Sequence, residues 1–358
     1  MERPIEFSAF ENTLRAAVRQ RAIRYTEAHS LSLRWEADDT NAIHDAIHFQ
    51  SILRLFNLPA AEELVLSSND RFPAWTVQRK FSDLLSGIRT AQGRTLIIVH
   101  YAGHGSPGPD GSLWFIERQG GRKINAERYL FSVVGPEVEN VDNFDALFIL
   151  DCCYGFIACR AADSSPRIVE IVAATTEDNP QAFAPPRVTV TAKLVAEITR
   201  RQRDRHQYAE IADIVATLRA NSAIKKPGHC LKLGAASICL PFTGLSGIDP
   251  KTIQPSLRAV FSVHITDNMT QEKVNQFLHW VRTLPEFASI TLDGVYPTSS
   301  SCLILSAAWS VWSKLQGMAG YQLIAEARGL NTLRSSGSQP VAEPGAQVLK
   351  ENIPLSRK

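Results

Sequence analysis

Two short segments of this chain hold residue types that could form an activated thiol nucleophile. The first is YAGHG at positions 101–105, with His104 between two glycines, and the second is DCCYG at positions 151–155, with Cys153 at its centre. Each directly follows an apolar run that is typical of a buried strand. A free thiol is only a few per cent thiolate at neutral pH, so it needs a neighbouring imidazole to accept its proton. The pattern predicts a dyad with His104 as general base and Cys153 as nucleophile.

The turns at the histidine and at the cysteine could also bind a developing negative charge. Gly103 and Gly105 let the backbone turn sharply and leave the imidazole uncovered. Backbone N–H groups at such turns can bind the oxyanion that develops during acyl transfer. We therefore expect an oxyanion hole formed by the N–H groups of Gly105 and Cys153, while His104 returns its proton to the leaving amine.

Three neighbouring residues compete for these roles. If Leu150 faces the core, alternation along the strand favours Cys153 over Cys152 as the exposed thiol. Cys152 is then expected to pack as a small hydrophobe. His100 falls inside the apolar run and is expected in the core or as support for the site, and Cys159 is expected to be inert.

Buried apolar runs alternate with amphipathic helical patterns along most of the chain. Runs at 95–101, 146–150 and 168–174 are predicted strands, and the stretches 75–88 and 190–200 have helical spacing. This order predicts an α/β fold with a mostly parallel sheet covered by helices on both faces. Such sheets bind ligands at the carboxyl ends of their strands, where both chemical segments lie.

Composition divides the chain into several parts. An amphipathic helix is predicted from Phe7 to Ala28, and a turn-rich stretch separates the large domain from a βαββα pattern that is expected to be ferredoxin-like. Near the end Ser, Gly, Pro and Gln dominate, which predicts disorder. The predicted parts are an N-terminal helix at 1–30, a large α/β domain at 31–243, a linker at 244–255, a small α+β domain at 256–330 and a disordered tail at 331–358.

The two chemical segments together resemble those of a known enzyme family. HYAGHG at 100–105 and LFILDCCYG at 147–155 are similar to the histidine and D-x-C motifs of caspase-like cysteine peptidases, and most closely to those of metacaspases and fungal-type caspase-like proteins. The helix containing His44-Asp45-Ala46 also resembles the N-D-A helix of this clan. The resemblance spans residues 31–242, and it implies a caspase-like sandwich in which 31–243 is the peptidase domain.

The resemblance also implies roles for individual residues. His104 and Cys153 match the catalytic pair, and Asp151 matches the aspartate that helps line a pocket for a basic P1 side chain in metacaspases. Asp39, with Asp38, is a weaker candidate for a second acidic wall of that substrate-binding pocket. Each acid also has a simpler interpretation: Asp151 can hold loop N–H groups, and Asp38 and Asp39 can cap the next helix.

One departure from the metacaspase motif leads to two hypotheses. Metacaspases usually have D-x-C-H-S-G, whereas this chain has Tyr154-Gly155 after its cysteine. The first hypothesis is an endopeptidase that cleaves polypeptides after Arg or Lys through a thioester. The alternative is a catalytically weak caspase fold that serves as a signalling or scaffold protein. The basic run from Arg200 to Arg205 is either a self-processing site or a solvated helix end.

Composition and motif content limit the partners, the localisation and the cofactors that can be expected for this chain. The 358 residues carry a formal net charge of +2 and are 44% hydrophobic, so no nucleic-acid partner is expected. No apolar run is long enough to span a membrane, and Glu2, Glu6 and Glu11 occupy the place of a signal peptide's apolar stretch, which predicts a cytoplasmic protein.

Six cysteines without paired spacing predict free thiols. No CxxC pair, HExxH or EF-hand motif is found, so no metal or other cofactor is expected, and calcium stimulation stays open.

Overall fold

The structure is a computed structural model that describes most of the chain. The described residues are 4–20, 24–88, 93–135, 143–159, 167–184, 187–222, 224–234, 236–245, 258–284, 290–297, 301–315 and 319–327. The linker predicted at 244–255 lies outside them from residue 246 onward, and the tail predicted at 331–358 lies wholly outside them.

Helices and strands alternate through the described residues. The helices are α1 (Phe7–Gln20), α2 (Ala42–Leu55), α3 (Pro73–Ile88), α4 (Val190–Arg203), α5 (Ile211–Asn221), α6 (Gln271–Thr283) and α7 (Trp309–Leu315). The strands are β1 (Glu27–Trp35), β2 (Glu62–Leu66), β3 (Thr95–Ala102), β4 (His104–Pro107), β5 (Leu113–Ile116), β6 (Lys123–Asn125), β7 (Phe144–Asp151), β8 (Val169–Ala173), β9 (Tyr208–Glu210), β10 (Gly228–Leu233), β11 (Cys239–Pro241), β12 (Arg258–Ile265), β13 (Thr291–Pro297), β14 (Ser301–Ala308) and β15 (Tyr321–Ala327). A 3₁₀ helix, Gly155–Cys159, follows β7. None of the described helices combines the length and the apolar content that a membrane crossing needs.

A six-stranded sheet forms the centre of the larger part, in the order β10-β8-β7-β3-β1-β2. The pairs β2–β1, β1–β3, β3–β7 and β7–β8 are parallel, and β10 is an antiparallel edge strand beside β8. Every residue of β3 and of β7 is buried, as expected for strands covered on both faces. The predicted mostly parallel sheet is confirmed.

Apolar clusters cover both faces of this sheet. On one face, Ile97 and Val99 of β3 pack in a cluster with Phe81 of α3. On the other face, Leu96 and Ile98 belong to a cluster with apolar residues of α2, α4 and α5. Successive side chains of a strand point to opposite faces, so a continuous apolar run needs helices on both sides. That requirement produces the layered α/β architecture.

The first part of the chain differs from its prediction. The helix predicted from Phe7 to Ala28 covers Phe7–Gln20, and Glu27 already belongs to β1. In β1, Ala28 lies opposite Leu96 of β3 in a parallel ladder. The prediction was wrong at its end because pairing with a distant strand overrode a local helical pattern.

The C-terminal part is an antiparallel sheet with its own helices. Its elements follow the order β12-α6-β13-β14-α7-β15, and its strands lie in the order β13-β14-β12-β15. This is a split βαβ arrangement. Phe10 and Leu14 of α1 are buried in the same cluster as Phe261 and Phe277 of this unit. Helix α1 therefore packs against the C-terminal sheet.

Helix α5 connects the two parts. Ala212 and Ala216 of α5 belong to the apolar cluster of the C-terminal unit. On the same helix, Arg219 forms an ion pair with Glu326 of β15 at 3.3 Å. The C-terminal unit thus packs on the helical layer of the larger part.

Candidate active site

The ends of β3 and β7 lie side by side, and both chemical segments begin there. Ala102 lies opposite Asp151 in the parallel register, and the Gly103 N–H donates to the Asp151 carbonyl oxygen at 3.3 Å. His104 and Cys153 each come two residues after these paired positions, so the strands bring them to the same edge of the sheet. The predicted dyad requires neighbouring strands, and the structure meets that condition.

Two glycines shape the histidine loop. Gly103 has a φ of 140°, a conformation that L side chains rarely adopt. Gly105 lies against the cysteine loop: a Cβ atom at this position would be 2.2 Å from the Cys153 carbonyl oxygen and 3.0 Å from the Cys152 sulfur. The start of β4 and the cysteine loop are therefore in direct contact, and a side chain at position 105 would push them apart.

The imidazole of His104 faces a carboxylate from the loop before α2. Its Nε2 atom pairs with Asp39 Oδ1, and its carbonyl oxygen accepts a 2.7 Å hydrogen bond from the Tyr101 hydroxyl. The hydrogen bond from His104 lowers the pKa of Asp39, so this carboxylate is ionised at neutral pH. Asp39, expected from the sequence to bind substrate, is thus placed against the candidate base.

The two adjacent cysteines have different surroundings. Cys153 is half-buried, whereas Cys152 is only 1% exposed. Burial raises the pKa of Cys152, which keeps its thiol protonated and unreactive. Tyr154 has a φ of 58°, in the left-handed region, and turns the chain into the 3₁₀ helix. Burial therefore agrees with the assignment of the exposed thiol to Cys153.

The segment 180–184 lies against the cysteine loop. The Ala182 N–H donates to the Cys153 sulfur at 3.3 Å. The Tyr154 N–H donates to the Pro180 carbonyl oxygen at 2.7 Å. These two bonds fix the segment beside the candidate nucleophile.

Two cationic side chains also contact segment 180–184. The Phe183 ring contacts two cations, the Arg187 guanidinium at 5.4 Å and the Lys225 ammonium at 5.3 Å from the ring centre. Lys225 also donates to the Asn179 side chain, whose amide nitrogen donates to the Ile224 carbonyl oxygen at 2.9 Å. The position of segment 180–184 therefore depends on contacts with the chain just before β10.

Asp151 is buried rather than placed on the surface. Its Oδ2 atom accepts 2.8 Å hydrogen bonds from both the N–H and the hydroxyl of Thr191, in the first turn of α4. Its Oδ1 atom has no hydrogen-bond partner among the described residues. Burial, and then the charge of Asp45, raise the pKa of Asp151 from 3.8 to about 7. Asp151 thus holds a backbone N–H group, as in the simpler interpretation, but that group belongs to α4 rather than to the cysteine loop.

Asp45 is a second buried acid, which sequence reasoning noted only within a family resemblance. It accepts a hydrogen bond from the Thr189 hydroxyl, lies 3.7 Å from His48 Nδ1, and has a pKa raised by burial. A cavity of about 410 Å³ beside it is lined by Asn41, His44, His48, Arg187, Val188, Thr189 and Ala192. A signal was available in the sequence, because Asp45 shares the apolar face of α2 with Ala46 and Phe49.

Asp38 stabilises the turn before α2. Its Oδ2 atom accepts 3.0 Å hydrogen bonds from the N–H groups of Thr40 and of Ala42, the first residue of the helix. The N-cap residue of α2 is Asn41, so Asp38 satisfies a helix N–H from outside that position. Asp38, Asp39 and His104 also form the one grouping of metal-ligand types within the described part of the chain, with ligand atoms within 4.8 Å of one another. Asp39 and His104 are paired with each other, and Asp38 accepts hydrogen bonds from Thr40 and Ala42.

The arginine-rich run divides into a buried and an exposed part. The Arg201 side chain is 2% exposed and forms ion pairs with Glu197 at 2.7 Å and with Asp213 at 2.6 Å. The Arg203 side chain, at the end of α4, is 76% exposed. Arg205 follows in a turn with a φ of 60°. A protease would therefore reach the end of the run more easily than its start.

His100 lies in the core, as predicted. Its ring stacks on Phe49 with centroids 4.8 Å apart. Its Nδ1 atom is 3.3 Å from the Ser32 hydroxyl, and its Nε2 atom is 3.2 Å from the Thr191 hydroxyl. Burial lowers the pKa of His100 to about 3, so the ring is neutral. Thr191, which contacts His100, also donates to Asp151, so the His100 ring supports the position of Asp151 indirectly.

The edge of the sheet combines a half-exposed thiol, an imidazole and an ionised carboxylate. These are the groups that acyl transfer through a covalent thioester needs. No protein-family model matches the chain, and no curated protein matches it. Its function is therefore inferred from the chemistry of these residues.

The close approach at Gly105 leads to a prediction about stability. Gly105→Ala should lower the free energy of unfolding by about 1–3 kcal/mol, because the new Cβ atom meets the Cys153 carbonyl oxygen. Gly87→Ala is the matched control, since a Cβ there meets nothing within 4 Å and alanine favours the helix. Urea denaturation measures both variants, and equal stability of the two would show that the histidine and cysteine loops are not packed together.

The raised pKa of Asp151 leads to a prediction about pH. Between pH 3.8 and about 7, folding takes up a proton at Asp151, so its contribution to stability is present below that range and lost as the pH rises through 7. Asp151→Asn cannot ionise, and it should be more stable than the parent at pH 8 by on the order of 1–2 kcal/mol, with no such gain at pH 4.

Urea denaturation at the two pH values tests this prediction. Asp110→Asn is the control, because hydrogen bonds from Ser112 lower the pKa of that exposed acid and its removal should give no gain at pH 8. An Asp151→Asn effect that is equal at both pH values would contradict the assignment of a proton to Asp151.

Proposed function

We propose that this chain is a cysteine-type endopeptidase with a caspase-like sandwich fold. The observation that carries the proposal is the parallel register of β3 and β7, which brings His104 and Cys153 to one edge of the sheet. A mostly parallel sheet with helices on both faces is compatible with that fold. The substrate class is a polypeptide, whose amide bond needs both a nucleophile and an acid for the leaving amine.

The proposed reaction has two halves. Cys153 gives its proton to His104, and the thiolate sulfur bonds to the scissile carbonyl carbon. The N–H groups of Gly105 and Cys153 bind the resulting oxyanion. His104 then protonates the leaving amine as the C–N bond breaks, which leaves a thioester on Cys153. In the second half, water attacks the thioester while His104 takes its proton, and the thiol is released with the acid product.

Asp39 acts in this mechanism through the base. Its carboxylate pairs with His104 Nε2, which fixes the ring and favours the imidazolium that forms after proton transfer. The other ring nitrogen, Nδ1, is then the atom that exchanges a proton with Cys153. Asp39 is therefore a positioning residue, and its effect is limited because much of its side chain is exposed to solvent.

A preference for Arg or Lys at P1 is supported by two neighbouring acids, Asp151 and Asp45, whose pKa values are raised by burial. Asp151 Oδ1 lacks a partner in the described part of the chain, and Asp45 lies close enough to raise the pKa of Asp151. A guanidinium or ammonium group between them would satisfy the unpaired oxygen and let both acids ionise. Thr189 lines the adjacent cavity and donates to Asp45, so it marks the side from which a substrate side chain would enter.

Self-processing at the arginine-rich run is part of the same proposal. Arg201 is held by Glu197 and Asp213 within a helix, whereas Arg203 and Arg205 are at or beyond the helix end. Backbone in a helix cannot extend into a protease cleft, so we place any self-cleavage after Arg203 or Arg205. A chain break there that disappears when Cys153 is replaced would support this site.

A second candidate function is a signalling or scaffold module with little catalysis. The observation that favours it is the Ala182 N–H bonded to the Cys153 sulfur, where an incoming carbonyl group would have to approach. Tyr154, at the position where metacaspases have histidine, adds to this case. The attached split βαβ unit is also more readily explained by a binding role than by catalysis.

Replacing the nucleophile tests the peptidase. Cys153→Ala should lower kcat/KM for Arg- and Lys-terminated fluorogenic peptides by roughly 1000-fold or more, because no thioester can form. Cys152→Ala is the matched control and should retain most of the activity, since that thiol is buried and protonated. Undiminished turnover by Cys153→Ala would refute the assignment. If the parent protein turns over no peptide and Cys153 is not labelled by an Arg chloromethyl ketone, the scaffold function is supported instead.

Replacing Asp39 separates its two roles. If Asp39 positions the base, Asp39→Asn should lower kcat about 10-fold and leave KM nearly unchanged. If Asp39 instead lines the P1 pocket, KM should rise for Arg substrates while kcat is retained. Asp83→Asn, an exposed acid on α3, is the control and should alter neither constant. Steady-state kinetics with one Arg peptide distinguishes these outcomes.

A further inference from the structure

Two cysteines outside the candidate dyad lie against each other. Cys159 ends the 3₁₀ helix that follows the cysteine loop, and Cys230 is on the edge strand β10. Their thiols are in hydrogen-bonding contact. Both are half-buried and pack against the same apolar cluster of the central sheet. Cys159, expected from the sequence to be inert, thus has a sulfur neighbour that sequence spacing did not reveal.

The elements that carry these two cysteines are fixed relative to each other. The Phe156 N–H donates to the Thr175 hydroxyl at 3.3 Å, which anchors the start of the 3₁₀ helix just beyond the end of β8. Strand β8 lies between β7 and β10, and it pairs with β10 so that Cys230 is opposite Ile171. The helix therefore runs across β8 to β10, and the contact of the two thiols at its end follows from this packing.

The surroundings of Cys230 decide the order in which the two thiols react. The hydrogen bond with Cys159, and then burial, raise the pKa of Cys230. Lys232 opposes this shift and Glu170 adds to it. Cys230 is therefore protonated at neutral pH and reacts second, once a neighbouring sulfur has become electrophilic.

We propose that Cys159 and Cys230 are a reversible dithiol–disulfide pair, oxidised by a small disulfide such as oxidised glutathione. The Cys159 thiolate attacks one sulfur of the small disulfide, forms a mixed disulfide and releases one glutathione thiolate. The Cys230 thiolate then attacks the Cys159 sulfur, breaks the mixed disulfide and releases the second glutathione. Two protein thiols are oxidised, one small disulfide is reduced to two thiols, and the two protons pass to the released glutathione.

The disulfide has a structural and a functional consequence. It ties the helix that follows the nucleophile to β10, so the end of the cysteine loop can no longer separate from the sheet. It also closes a loop of chain that includes the exposed end of α4 at Arg203 and Arg205. A chain cut there would remain covalently joined, and this second consequence alone depends on the proposed self-processing.

Peptide mapping of the full-length protein tests the pair without any measurement of peptidase activity. The protein is incubated with oxidised glutathione, remaining thiols are alkylated, and non-reducing digests are analysed by mass spectrometry. The expected product is a Cys159–Cys230 linked peptide that disappears after reduction. The thermal unfolding midpoint should rise by roughly 5 °C on oxidation, because the cross-link restricts the unfolded chain.

Two variants control the experiment. Cys230→Ser should lose both the linked peptide and the rise in midpoint, and it should retain glutathione on Cys159. Cys302→Ser, in the C-terminal unit, should keep both effects. The proposed pair would be refuted if glutathione persisted on Cys159 of the parent protein. It would also be refuted if a disulfide formed between other cysteines instead of the Cys159–Cys230 link. Because these readouts need no substrate, they are the same whether or not Cys153 is a nucleophile.

Discussion

Parallel pairing of β3 with β7 in a single register sets the positions of His104 and Cys153. Side chains on a strand alternate between the two faces of the sheet. A slip of one residue would therefore move the side chains that pack against α3 to the face covered by α2 and α4, and the reverse. Both strands are buried along their whole length, and such a slip would disrupt both apolar clusters. The burial of these runs thus specifies the register, and the register places Asp151 opposite Ala102, just before the two loops that carry the chemistry.

The same edge of the sheet encloses two acids whose ionisation opposes folding. Asp151 and Asp45 are buried close together, and burial raises the pKa of both. Hydrogen bonds from Thr191 and Thr189 satisfy part of each carboxylate. An apolar pair of similar size would fill this space with less unfavourable free energy. Buried acids whose ionisation opposes folding are more readily explained by recognition of a cation, which is why we connect the pair with a basic P1 side chain.

The sequence is sufficient for the central strands and for placing His104 and Cys153 just beyond their ends, but not for the contacts between loops. The β-branched runs of β3 and β7, followed by His104 and Cys153, are local signals. The pairing of Asp39 with His104 joins positions 65 residues apart and depends on where the loop before α2 meets the sheet edge. The contact between Cys159 and Cys230 likewise depends on β10 being an antiparallel neighbour of β8. The burial of Asp45 could have been predicted, although its contacts could not. An acid on the apolar face of a predicted helix is a signal that residue spacing alone gives.

The position of segment 180–184 bears on both proposed functions, because this segment lies against the candidate nucleophile. One N–H···S bond joins the segment to Cys153, and one backbone hydrogen bond joins it to Tyr154. A net hydrogen bond contributes about 1 kcal/mol, and each cation contact with Phe183 about 0.5–1 kcal/mol at a partly exposed site. Displacement of the segment from the thiol breaks the N–H···S bond, which costs on the order of 1 kcal/mol. A bound peptide can supply that free energy through its own backbone hydrogen bonds, so the closed arrangement is compatible with a peptidase whose thiol becomes accessible when the substrate binds.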